Sequence, residues 1–384
     1  MQFAFATATE IVFGRGARTT VGERTRSLGA RALVVTGRSD GPSADVIAAI
    51  NATGVRVLRW SVEGEPTIVM ARAAVDAARQ HDTDVVVACG GGSAIDLGKA
   101  VAALLANAGD PLDYLEVVGR GLTIAARSRP FIAVPTTAGT GAEVTRNAVL
   151  TVPDSHQKVS LRSPLMLPAL AVVDPELTLA LPPALTASTG MDALTQLIEP
   201  YVSVKANPLT DAICLEALPR VARSLRRAFD DGDDIEARTE MAFGSLCGGL
   251  ALANAALGAV HGFAAPIGGR FPAPHGAVCA ALLPSVMRAN LRALETRGGE
   301  SDRLERFVRV ARLLTGDPTA SAADGVQWIE RLRDDLQVPP LADYGIGHED
   351  VDDLVAAASR ASSMRGNPIA LDATELRGVL LAAL

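Results

Sequence analysis

The stretch Asp84-Val85-Val86-Val87-Ala88-Cys89-Gly90-Gly91-Gly92-Ser93-Ala94-Ile95-Asp96 decides how the rest of the chain is read. Its first half is a short, β-branched apolar run, the pattern of a strand buried on both faces. Three glycines break the run, and helical spacing then continues through Lys99 to about residue 106. Glycines at a strand-to-helix turn let the backbone approach a ligand closely. The helix start behind them offers free N–H groups and the positive end of the dipole to a phosphate. The spacing is not that of the usual dinucleotide fingerprint. Gly91, Gly92, Ser93 and Asp96 therefore read either as a phosphate site or as a tight turn and helix cap.

Working outward, residues 1–30 read as a short strand pair, with Ile11-Val12-Phe13 entering a turn at Gly14 and Gly16. Ala32-Leu33-Val34-Val35-Thr36 is a second fully buried strand and ends in the loop Gly37-Arg38-Ser39-Asp40-Gly41-Pro42. A helix over 44–52, a strand over 55–60 and a helix over 68–80 lead back to Asp84. Downstream, the strand Phe131-Ile132-Ala133-Val134 runs into Pro135-Thr136-Thr137-Ala138-Gly139-Thr140-Gly141-Ala142-Glu143-Val144-Thr145. Hydroxyls and glycines here sit at the carboxyl end of a strand, where open α/β sheets bind ligands. An ordinary polar loop is the other reading, but two such loops at corresponding strand ends favour a nucleotide. Strands alternating with helices of this length predict a parallel sheet covered by helices. After Ala171-Val172-Val173-Asp174-Pro175, the breaker Leu181-Pro182-Pro183 marks a boundary, with an α/β domain over 1–183 and a second domain over 184–384.

Beyond Pro183 the periodicity changes. Segments 186–203, 208–230, 234–258, 302–314, 320–335, 349–361 and 373–384 read as helices, and Ser188 or Thr189 is placed to cap the first. The second domain is therefore expected to be all-α. It opens with Gly190-Met191-Asp192-Ala193-Leu194-Thr195-Gln196, in which Asp192 and Gln196 project from one helical face. It also holds two of the chain's five histidines, His261 and His275, in a segment rich in glycine and proline. Two imidazoles, a carboxylate and an amide oxygen form a ligand set for a divalent metal. The bland alternative makes His261 a hydrogen-bonded core residue and His275 a loop residue.

The 384 residues exceed one compact core, which supports two domains. Hydrophobic residues at 48%, charged residues at 21% and a net charge of −7 without a basic run exclude disorder and argue against a nucleic-acid partner. The four cysteines, Cys89, Cys214, Cys247 and Cys279, are scattered in apolar sequence and read as core residues in a reducing compartment. The N-terminus lacks a basic n-region, and residues 246–269 read as buried helix rather than a membrane span. A cytoplasmic location is the expectation.

Taken in order, Gly90 to Ser93 with Asp96, residues 135–145, Asp174-Pro175, residues 190–195 and the His261–His275 segment resemble the iron-containing (group III) alcohol dehydrogenase family. The resemblance covers nearly the whole chain, to Asn367-Pro368. It implies a Rossmann-like nucleotide domain followed by an all-helical domain, with metal and substrate between them. Carried over by position, Gly91, Gly92 and Ser93 would wrap the cofactor pyrophosphate, and Thr136, Thr137 and Thr140 would line the nucleotide and nicotinamide. Lys158 would reach the ribose, and Leu177, Thr178 and Leu179 would border the nicotinamide. Asp192, Gln196, His261 and His275 would hold Fe²⁺ or Zn²⁺, with Asp192, His261 and His275 as the catalytic set. A homodimer or larger homo-oligomer acting on a small alcohol, aldehyde or ketone is implied.

Three positions depart from that pattern. Gln196 stands where the family usually has histidine, and an amide oxygen is the weaker donor. Ala265 stands where many members carry a histidine that assists proton transfer. Gly37 stands where NAD-preferring members place an aspartate. A carboxylate there would repel a 2′-phosphate, whereas Gly37 leaves room and Arg38, with Ser39, can receive one; NADP is thus favoured over NAD. The leading reading is an NAD(P)-dependent, metal-assisted alcohol dehydrogenase or aldehyde reductase. A metal-independent reductase of the maleylacetate reductase type is the alternative, for which Arg270 could meet a substrate carboxylate. A dehydroquinate synthase-like lyase shares the two-domain architecture and is the more distant one.

Overall fold

The computed structural model describes residues 2–38, 41–115, 118–155, 157–297 and 301–384. The first half of the chain carries β1 (Glu10–Phe13), α1 (Val21–Leu28), β2 (Arg31–Thr36), α2 (Gly41–Ala52), β3 (Arg56–Ser61), α3 (Ile68–Gln80), β4 (Val85–Gly90), α4 (Gly92–Ala106), β5 (Phe131–Pro135), β6 (Asn147–Val152), β7 (Gln157–Arg162) and β8 (Leu170–Val173). Among the described residues six strands form one parallel sheet in the order β1-β8-β5-β4-β2-β3, and β6 pairs with β7 as an antiparallel hairpin.

The apolar runs are continuous because both faces of the sheet are covered. Leu33, Val35, Val86, Ala88, Phe131 and Ala133 enter one core with α3 and α4. Their neighbours Ala32, Val34, Val85, Val87, Ile132 and Val134 enter a second core on the opposite face, with Val46 and Ile50 of α2. Side chains of a strand alternate between faces, so a strand covered twice must be apolar at every position.

Register brings the loops together. Thr36 lies beside Cys89, and Gly90 lies beside Pro135, so the carboxyl ends of β2, β4 and β5 finish side by side. Strand order reverses between β2 and β4, since β3 lies on the far side of β2. That switch point is where open α/β sheets bind ligands. The loop after β5 is tied down by the fully buried Lys99 of α4. Its ammonium donates to Ala142 O at 2.7 Å, Asn147 O at 2.7 Å and Thr145 Oγ1 at 2.9 Å.

The second half is helical: α5 (Pro183–Val202), α6 (Pro208–Asp230), α7 (Ile235–Ala255), α8 (Ala259–Arg270), α9 (His275–Thr296), α10 (Ser301–Thr315), α11 (Ala322–Asp335), α12 (Val351–Arg360) and α13 (Ala373–Leu381). By contacts, one compact unit comprises Ala6–Thr137 and Gly141–Ala180. The other comprises Ala138–Thr140 and Leu181–Leu384 with a few N-terminal residues. Helix α9 is long and apolar enough to cross a membrane, but 83% of that window is buried inside the protein, as expected of a core helix.

Several local expectations are corrected. Among the described residues of 1–30 there is one strand, not a pair; β1 pairs with the distant β8, and α1 follows, with Val21 and Thr25 buried. The β6–β7 hairpin was not anticipated, although burial alternates along β6. Ser188 and Thr189 do not cap α5. Pro183 starts that helix a turn and a half earlier, and both hydroxyls donate back to Leu185 O instead. The helix expected over 234–258 ends at Ala255. There Ala256 takes φ 60° and the chain turns by 100° into α8, so residues 246–269 are two helices rather than one. Gly276 and Pro284 interrupt the helical pattern of α9 and hide it from a reading by periodicity; Pro274 serves as its N-cap.

Candidate active site

Several buried polar side chains of the helical half converge on one face of α5. Helix α5 buries Asp192, Gln196 and Glu199, which share one face at successive turns. The break after α7 starts α8 beside that face. Glu199 Oε1 accepts from Val260 N at 2.8 Å, satisfying a free N–H of the first turn of α8. Its Oε2 stands 2.7 Å from Nδ1 of His261, one residue further on. A Cβ at 258 would lie 2.8 Å from Glu199 Oε1 and 2.9 Å from Asn367 Oδ1, so any larger residue would push both side chains out of their hydrogen bonds. Helix α9 approaches α5 as closely: a Cβ on Gly276 would stand 2.0 Å from Ser188 O. That contact sets His275, the first residue of α9, beside Asp192.

His261 Nε2 lies 3.3 Å from Asp192 Oδ1 and His275 Nε2 lies 3.7 Å from it. The two rings are 5.4 Å apart between centroids and tilted by 54°. One turn along α9, Cys279 Sγ stands 3.9 Å from each Nε2. One ligand atom from each of Asp192, His261, His275 and Cys279 falls within 4.8 Å of the others. All are buried except His275, whose side chain is 35% exposed.

The charges fit a cation. With Nδ1–H of His261 donating to Glu199 Oε2, the neutral ring turns its Nε2 lone pair toward a carboxylate oxygen. Two acceptors at that separation repel unless something positive lies between them, either a proton or a metal ion. Burial opposes a charged imidazole, yet Cys279, Glu199 and Asp192 hold the His261 pKa well above its ordinary value. His275 is raised too, against burial, by Cys279 and Asp192. Burial also disfavours the Asp192 carboxylate, but His275, His261 and Gln196 together keep its pKa below the usual range. Donors at about 2.0–2.3 Å around one ion stand about 3.3–3.7 Å apart, close to the separations seen here. A carboxylate, two imidazoles with one carboxylate-locked tautomer, and a thiol suit a divalent transition metal.

Gln196 lies one turn along α5 from Asp192. Its amide hydrogen-bonds to Asp192, while its buried Oε1 has no partner and lies against Gly248. Glu199 and Cys279 were not singled out from the sequence. Their signals were spacing: Glu199 lies seven residues after Asp192, and Cys279 four after His275.

The nucleotide-type residues occupy the sheet unit. Gly91 is the N-cap of α4 without a side-chain cap bond, and Gly92 and Ser93 form its first turn. Thr136 and Thr137 follow β5, with Thr136 N bonded to Gly90 O at 3.0 Å, whereas Thr140 groups with the helical unit. Asp96 is turned to structure: Oδ2 accepts from Val149 N at 3.0 Å and so holds β6. Lys158, on β7, pairs with Glu65 at 2.9 Å. Leu177 is packed in a sheet core, the Thr178 hydroxyl donates to Pro175 O, and Leu179 is half-buried beside them. Gly37 follows β2 with open space where a side chain would project, and Arg38 is exposed; Ser39 lies outside the described residues. Ala265 is half-buried one turn beyond His261, and Arg270 is exposed at the end of α8.

The family model described as iron-containing alcohol dehydrogenase matches residues 8–175. The model described as Fe-containing alcohol dehydrogenase family, C-terminal, matches 186–384. A 1,3-propanediol dehydrogenase of Klebsiella pneumoniae is 37% identical over 369 residues, covering 93% of this chain and 92% of that one. An NAD-dependent methanol dehydrogenase of Bacillus methanolicus is 34% identical, covering 97% of each. The crystal structure of a 1,3-propanediol oxidoreductase superposes with a TM-score of 0.92 at 34% identity, over the full length of both chains.

Proposed function

Because the chain belongs to the iron-containing alcohol dehydrogenase family, an oxidoreductase family acting on CH–OH groups, we propose that it exchanges hydride between NADP(H) and a small alcohol or carbonyl compound with the help of a divalent metal. The observation that carries the metal-dependent reading is the convergence of Asp192, His261 and His275 on one point in the helical core. These three would hold Fe²⁺ or Zn²⁺. When bound, the ion supplies Lewis acidity that favours the alkoxide form of an alcohol and polarises a carbonyl.

The chain's own groups prepare that chemistry. Glu199 fixes the tautomer and ring orientation of His261, and the Gln196 amide steadies Asp192. Half-exposed His275 marks the side open to substrate, while burial of the other groups keeps bulk water out. The uncapped start of α4 at Gly91, Gly92 and Ser93 receives the pyrophosphate through backbone N–H groups, and Thr136, Thr137 and Thr140 add hydroxyls. Leu177 and Leu179 give the nicotinamide an apolar border. Lys158 reaches the ribose by exchanging its bond to Glu65. Ala265 offers no ionisable group, so the reacting proton leaves through water or the cofactor ribose hydroxyl. The free, buried cysteines fit a reducing, cytoplasmic setting, and a homo-oligomer accompanies the family assignment.

The test is a metal analysis joined to an aldehyde-reduction assay with NADPH and NADH before and after chelation. Reduction is expected to fall by about 100-fold or more on complete metal removal and to return with Fe²⁺ or Zn²⁺. Unchanged reduction by metal-free protein would establish the metal-independent reductase instead. Bound NAD that does not exchange, with no carbonyl compound turned over, would point to the lyase.

Cofactor choice has its own test at Gly37. Open space at that position accommodates a 2′-phosphate beside Arg38. Gly37→Asp puts a carboxylate there, and the kcat/KM ratio should move toward NADH by about tenfold or more. A ratio that does not move means the 2′ position is read elsewhere, and an NAD preference, such as the name of the Bacillus methanolicus relative states, is then the simpler assignment.

A further inference from the structure

We infer that Cys279 is the fourth protein ligand of the metal centre, so that the donor set is one carboxylate, two imidazoles and one thiolate. The inference rests on the reading of Asp192, His261 and His275 as metal ligands and adds the donor that completes them.

Geometry favours sulfur over the Gln196 oxygen. Cys279 Sγ is equidistant from the two imidazole Nε2 atoms, at 3.9 Å each, and belongs to the same cluster as Asp192 Oδ1. A tetrahedral ion with an N donor at about 2.1 Å and a thiolate at about 2.3 Å separates the two by about 3.6 Å. Each of the two sulfur–nitrogen separations need shorten by only about 0.3 Å for Cys279 and the imidazoles to share one ion. Gln196 Oε1 is buried near Gly248, and the Gln196 amide already serves Asp192. Turning the amide over would set its oxygen against the Asp192 carboxylate.

Placement also favours the thiol. Cys279 is fully buried and one turn from His275 on α9, so the helix that delivers one ligand delivers the other at no further conformational cost. A thiol that ligates a metal gives up its proton, and thiolate is a far stronger donor than an amide oxygen toward a borderline-soft ion such as Zn²⁺. Zinc accepts a fifth ligand, so four protein donors do not close the site to substrate. The donor set therefore biases the centre toward Zn²⁺ over harder ions such as Mn²⁺.

The experiment is optical and does not depend on turnover. Metal-free full-length protein is loaded with one equivalent of Co²⁺, and its spectrum is compared with those of Cys279→Ser and Gln196→Ala. The wild type should show visible ligand-field bands and a near-ultraviolet thiolate-to-cobalt charge-transfer band. Cys279→Ser should keep the visible bands and lose the charge-transfer band, with Zn²⁺ affinity falling about tenfold or more relative to Mn²⁺. Gln196→Ala should retain both features. X-ray absorption of the zinc-loaded wild type should show one sulfur neighbour at about 2.3 Å, which covers the case of a variant that does not fold. Visible bands with no charge-transfer band and no sulfur neighbour overturn the role of Cys279 and leave the metal centre standing. A charge-transfer band that survives in Cys279→Ser overturns it as well. Failure of the wild type to take up Co²⁺ or Zn²⁺ overturns the metal reading itself.

Discussion

Asp192→Asn is expected to leave the protein folded and to lower both bound metal and alcohol oxidation, the latter by about a thousandfold. Asparagine keeps the shape of the side chain, and its Oδ1 still accepts from Gln196, so the core around α5 stays packed. What disappears is the carboxylate charge that lies nearest to both imidazole Nε2 atoms. A neutral amide oxygen cannot offset the dehydration of a divalent ion in a buried site, where charge must be met by charge. Metal per chain should drop to a small fraction while the melting temperature of the metal-free proteins stays within a few degrees. A variant that retains its metal and turns over within threefold of wild type would show that Asp192 is not a ligand.

Glu199→Gln should reduce metal affinity by about 10- to 100-fold without touching any donor atom, the range typical of groups that orient a metal-binding histidine. Glu199 now accepts twice, from Val260 N and from His261 Nδ1. Glutamine has one oxygen and one NH₂. If its oxygen stays on Val260 N, its NH₂ faces Nδ1 and moves the imidazole proton to Nε2, the atom that should meet the ion. The opposite rotamer sets two N–H donors against each other at the start of α8. Either way the substitution penalises metal binding more than folding. The measurement is a competitive Zn²⁺ titration beside thermal melts, with Glu199→Asp as a partial rescue. Equal affinity for Glu199→Gln and wild type would reduce Glu199 to a helix cap.

These two residues illustrate unequal legibility. Asp192 could be read because a carboxylate inside an apolar helical segment, paired with two of few histidines, has little other use. Glu199 is as deeply buried and was passed over, because acidic residues near helix ends are common and only the fold reveals that this one is buried against α8. Cys279 was read as core, which its burial supports; that it also faces two imidazoles depends on how α8 and α9 cross α5. Lys158 was assigned a ribose, and the structure gives it an ion pair with Glu65 that must first be released.

By itself the sequence determined the parallel α/β sheet, the helical second half and the glycine- and hydroxyl-rich turns at the ends of β4 and β5. Each follows from patterns a few residues long: strands apolar at every position, glycines at a strand end, helices of period 3.6 after Pro183. Only the tertiary structure decided the bend at Ala256, the start of α9 at His275, and the gathering of Asp192, Glu199, His261, His275 and Cys279 into one cluster. The physical reason is separation along the chain. Residue 192 meets residues 261 and 279 through the Glu199 side chain packed at Gly258 and the backbone approach at Gly276, and no local pattern encodes a contact whose two halves lie some seventy to ninety residues apart.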